Sequence, residues 1–98
     1  MALLDKAKVA LRITVEDYDE QITDLIEAAK LDLGIAGVVL PEELDALCAQ
    51  AIITYCRVHF GSPEPEEYDR LKRAYDEQKA QLQTATGYTD WGEEDDEA

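Results

Sequence analysis

An all-α fold, a small bundle of four helices with an extended acidic C-terminal tail, is what this sequence predicts. Three observations predict it. Apolar residues recur at i, i+3, i+4 and i+7 in four separate stretches, the period of a helix with one buried face. Glycine and proline fall between the second and third stretches and between the third and fourth. Residues 85–98 then carry six acids and no base, a composition that cannot join an apolar core.

The first stretch places Leu3, Ala7, Ala10 and Leu11 on one face and Lys6, Lys8 and Arg12 off it, which predicts a helix over about 2–12. Thr14 is the expected N-cap of the second helix, with Asp17 three residues on in the place of a capping-box acid. Tyr18, Ile22, Leu25, Ile26, Ala29 and Leu33 form its stripe, and Gly34 is the expected stop. Residues 34–40 are a connection with room for a brief extended piece.

Pro41, followed by Glu42 and Glu43, suits the first turn of a third helix. Leu44, Leu47, Cys48, Ala51, Ile52, Tyr55 and Val58 or His59 carry its stripe, and Ile53, Cys56 and Phe60 widen it. This is the least charged helix, so it is expected at the centre, ending at Gly61. Ser62-Pro63-Glu64-Pro65 is a turn and a second start signal. The fourth helix has a thinner stripe of Tyr68, Leu71, Tyr75 and Leu82 among acids and bases that mark a solvated face.

A chain of 98 residues makes one domain with one modest core. Residues 1–84 are expected to form that helical domain, and residues 85–98 an extended partner-docking tail. Nine Lys and Arg against 23 Asp and Glu give a net charge of -14. Duplex binding depends on cations that neutralise phosphate, so nucleic-acid recognition is not expected, nor is attachment to an anionic membrane. Residues 1–13 carry three bases and one acid, whereas residues 14–33 carry seven acids and one base. No apolar run reaches the length of a membrane span, and Lys6 and Lys8 interrupt any N-terminal signal-like stretch.

Little in the chain resembles catalytic machinery. Cys48 and Cys56, eight residues apart on one helix, are too far apart for an internal disulfide. Free buried thiols of this kind suit a reducing compartment. His59 is the only histidine, and near a helix C-terminus it reads as a packing or capping residue. A nucleophilic pair with Cys56 rests on thin spacing. Two cysteines and one histidine do not make a zinc site, and the acid run Glu93–Glu97 lacks the spacing of a calcium loop. No cofactor, metal or catalytic residue is expected. The tail is more informative: Tyr88 and Trp91 among Thr86 and Asp90 read as aromatic anchors of a docking segment.

The run Leu4-Asp5-Lys6-Ala7-Lys8-Val9-Ala10-Leu11-Arg12-Ile13-Thr14 resembles the opening of the phage head–tail connector proteins. Asp19-Glu20 with Ile22, Leu25, Ile26, Ala28 and Ala29 continues the likeness, as does Ala51-Ile52-Ile53-Thr54-Tyr55 running into His59-Phe60-Gly61. The likeness covers about residues 3–82. It implies a structural virion protein of the neck, assembled in the host cytoplasm into a homo-oligomeric ring, commonly a dodecamer. Such a ring sits beneath the portal protein, offers a platform to a tail or stopper protein, and extends a channel through which DNA passes without specific binding. C-terminal segments are implied to reach the portal; the acid run Glu93–Glu97 departs from that pattern.

Ring contacts are heterologous and need two unlike faces. Lys6, Lys8 and Arg12 on the first helix and Asp24 and Glu27 on the second are the candidate subunit–subunit residues. The rival reading is an acidic DNA-mimic inhibitor of a nucleic-acid enzyme, which would exploit the same charge; much of the acid here lies in the tail instead of along one face.

Overall fold

A computed structural model of the chain describes residues 2–84. These form four helices: α1 (Leu3–Leu11), α2 (Asp19–Ile35), α3 (Ala46–His59) and α4 (Pro65–Thr84). No strand occurs among the described residues, so the connection at 34–40 holds no extended sheet element.

Helix α3 is the hub. It packs against α1, α2 and α4, and α1 also packs on α2. Its low charge is the reason: with Cys48, Ala49, Ala51, Ile52, Thr54, Cys56 and Val58 buried, it presents apolar surface on several sides at once. Thr54 is accommodated because its hydroxyl donates to the Gln50 carbonyl at 2.9 Å. Ile22, Ile26, Ala29 and Leu33 of α2 close over it from one side, and Leu71, Tyr75 and Leu82 of α4 from another. Ile22, Leu33, Ile52 and Leu82 are among the largest fully buried side chains, each contributing roughly 1.5–3 kcal/mol by removal from water.

The starts of α2 and α3 differ from those the sequence predicts. Thr14 does not cap α2, and Asp17 does not complete a capping box; the helix begins at Asp19 after Tyr18, with no side-chain cap. Thr14 and Val15 are β-branched and poor in a first turn, while Asp19 is held from outside its helix by Lys8 of α1 at 2.7 Å. Tyr18 lies edge-on to Phe60 with ring centroids 5.5 Å apart, which anchors the turn before the helix.

Gly34 does not stop α2 either. The helix runs through it to Ile35, and Gly37 at φ +93° turns the chain. The Val38 amide donates to Leu33 O at 2.9 Å and the Gly37 amide to Gly34 O at 3.0 Å, the paired bonds of a Schellman closure. Burial of Val38 beneath the closure explains why the turn comes after Ala36.

Pro41 lies outside α3, which starts at Ala46. Leu40 and Leu44 pack against the core from the connection, and Asp45 is the cap, its Oδ1 accepting from the Cys48 amide at 3.0 Å. Leu47, placed on the stripe by its spacing, is instead 44% exposed. Gly61 does end α3, in the left-handed region at φ +70°.

Arg12 closes α1 in a conformation unusual for a side-chain-bearing residue, φ 60° and ψ 40°. Its amide donates to Val9 O at 3.1 Å and the Ile13 amide to Lys8 O at 2.9 Å. Ile13 packs on the core just beyond, which offsets the strain at Arg12.

Candidate functional site

The α1–α3 junction carries the first candidate surface. Lys6 and Ala10 of α1 face Ala49, Gln50, Ile53 and Arg57 of α3 across an open groove of about 400 Å³. Its floor is apolar and built of small side chains, and no acid lines it. It runs on, sharing Ala10 and Arg57, into a hollow of about 530 Å³ bordered by Arg12, Phe60, Pro63 and Glu67. Three cations, Lys6, Arg12 and Arg57, thus gather along one edge of a strongly acidic molecule. Among the described residues none of the three makes an ion pair.

The other candidate subunit residues are distributed more widely. Lys8 turns inward and pairs with Asp19 of its own chain, its side chain only 14% exposed. Asp24 and Glu27 are exposed on the outer side of α2, and Glu27 makes a surface pair with Lys30 at 3.2 Å, a contact of little net worth. Tyr88, Trp91, Thr86 and Asp90 lie outside the described residues.

A polar cleft of about 260 Å³ between α3 and α4 is the second feature. The Tyr75 hydroxyl donates to Asp32 Oδ2 at 2.5 Å, and Lys79 Nζ donates to the same oxygen at 3.4 Å while lying 5.1 Å from the Tyr75 ring centroid. Hydrogen bonding from Tyr75, reinforced by Lys79, lowers the Asp32 pKa against the opposing effect of burial. Burial, then the Asp32 carboxylate, raises that of Tyr75. Tyr55 lies tilted against His59, with ring centroids 4.3 Å apart, and meets Tyr75 edge-on at 5.4 Å. The arrangement holds three helices together; spacing along the sequence gave no sign of it, although a tyrosine on an apolar stripe needs a partner for its hydroxyl.

This geometry does not prepare a nucleophile. Burial pushes the thiols of Cys48 and Cys56 up to about 11, away from the reactive thiolate. His59 is exposed and lies against Tyr55. Among the described residues no group of three or more His, Cys, Asp or Glu side chains is placed to hold a metal ion. No helix among them is long and apolar enough to cross a membrane.

The molecule is therefore a small helical protein whose distinctive features are charged surfaces and a stapled core. A family profile described as phage connector protein matches residues 3–89, and the chain belongs to that family, a family of structural head–tail connector proteins. No curated protein and no solved structure matches the chain.

Proposed function

We propose that the protein is the repeating subunit of a ring in the neck of a tailed phage, seated between the portal and the tail or next neck protein and lengthening the DNA channel. The observation that carries this reading is the family match, which spans both the helical body and the start of the tail. Physical chemistry supports the ring. A closed heterologous assembly needs two unlike, complementary surfaces on each subunit. This chain has a cationic edge at Lys6, Arg12 and Arg57 and an acidic outer face on α2 at Asp24 and Glu27. The net charge of -14 suits a wall past which DNA slides without sticking.

Residues 1–84 form the ring body in this reading, and residues 85–98 dock a neighbour in the neck, with Tyr88 and Trp91 as the anchors beside Thr86 and Asp90. The family match ends at residue 89, so the acid run Glu93–Glu97 lies beyond it. Membership of a connector family favours this reading over an acidic inhibitor of a nucleic-acid enzyme. Truncation after Thr84 tests the division of labour. Helicity and thermal stability are expected to persist while binding to portal-bearing capsids weakens; loss of folding would show that the tail belongs to the core.

A further inference from the structure

The geometry points to a specific subunit contact: the outer stripe of α2 in one copy lies in the α1–α3 groove of the next. The inference rests on the ring reading and names the surfaces that make the ring.

The stripe is Asp24, Glu27, Leu31 and Ile35. Their spacing puts them in one row on α2, opposite the buried row of Ile22, Ile26, Ala29 and Leu33. Leu31 is 69% exposed and Ile35 86%, large apolar side chains one helical turn apart that none of the described residues covers. An amphipathic helix presenting apolar anchors at i and i+4 is the form that a helix-binding groove accepts.

The groove is the matching shape and charge. Ala10 and Ala49 keep its floor shallow enough for a helix to approach closely, and Ile53 supplies apolar contact. Lys6 and Arg57 stand over it, with Arg12 just beyond. In a chain with 23 acids and nine bases, a groove lined by cations and no acid is an attractive site for another copy of an acidic helix. Asp24 and Glu27 meet these cations, and Leu31 and Ile35 cover the floor. Complementary charge here sets the order of neighbours, and the apolar pair supplies the anchor.

The contact forms only between copies. The stripe faces away from the core on which α2 is already packed, so it cannot fold back into the groove of its own chain. Two different surfaces meeting head to tail generate a ring when the rotation closes.

Sedimentation velocity of the full chain over a range of concentrations, with two variants, tests the contact. Ile35→Asp spoils the stripe at an exposed position, and Ala10→Trp fills the groove at another; neither touches the buried core. Each alone is expected to weaken self-association about tenfold or more, the loss typical of an interface anchor. Mixed together they are expected to form a 1:1 pair that grows no further, because one intact stripe and one intact groove remain. Wild-type protein that associates while both variants associate equally well would overturn this contact and leave the ring reading standing. Association abolished by truncation after Thr84 but untouched by Ile35→Asp would overturn it in favour of the acidic tail as occupant. Wild-type protein that stays monomeric at every concentration, alone and with portal-bearing capsids, would overturn contact and ring together.

Discussion

The Tyr75 hydroxyl of α4 donates a 2.5 Å hydrogen bond to Asp32 of α2, 43 residues earlier in the chain. Helix α4 otherwise packs mainly on α3, so this bond, with the one from Gln83 Nε2 to the Ala36 carbonyl at 2.9 Å, fixes the angle at which α4 leaves the bundle. Tyr75→Phe keeps the ring and its contact with Tyr55 but removes the donor. A loss of about 1–2 kcal/mol in unfolding free energy is expected, the worth of a hydrogen bond to a charged group at a partly exposed site. Urea denaturation checks it; an unchanged midpoint would mean that solvent satisfies Asp32 equally well.

The same carboxylate gives a pH dependence of known sign. The Asp32 pKa in the folded protein is lowered from 3.8, chiefly by Tyr75 and then by Lys79. A group whose pKa falls on folding adds stability that is fully present above its unfolded value and is lost as pH falls through its folded value. Wild type should therefore exceed Asp32→Asn in stability at neutral pH. The difference should shrink on the acid side of 3.8. Comparing the two proteins at each pH removes the general effect of titrating the other acids.

Arg12 sits at φ 60° where glycine is the usual occupant. Arg12→Gly should raise stability by roughly 0.5–1 kcal/mol, the relief of left-handed strain less the extra freedom of the unfolded chain. Thermal unfolding measures it. A fall instead would show that contacts of the Arg12 side chain outweigh the strain.

The start of α3 and the start of α2 make a paired test. Asp45→Ala removes the side chain that accepts the Cys48 amide bond and should cost about 1 kcal/mol. Thr14→Ala, at a residue that caps nothing, should change stability by less than about 0.5 kcal/mol. Equal losses would place the helix start back at Thr14.

These differences show what the sequence carried. The buried row Ile22, Ile26, Ala29 and Leu33 follows from spacing alone, and so does the central place of the weakly charged α3, because burying apolar side chains dominates the packing. The helix ends were harder to read. Ile13, Val38, Leu40 and Leu44 bury apolar surface from the connections, so the helices start where those side chains reach the core and not at the first favourable cap. Of the charged candidates, Lys6 and Arg12 lie along the groove, whereas Lys8 is taken up by Asp19. Arg57 was legible only as the one base in residues 34–60; that it joins Lys6 across the α1–α3 groove depends on how two helices cross, which periodicity does not encode. The pairing of Asp32 with Tyr75 is hidden for the same reason.

Electron micrographs of tailless, portal-bearing capsids incubated with the full chain would test the proposed neck role most directly. A ring of added density beneath the portal, built from many copies of the chain, is the expected result. Bare portals beside a chain that remains monomeric would contradict it.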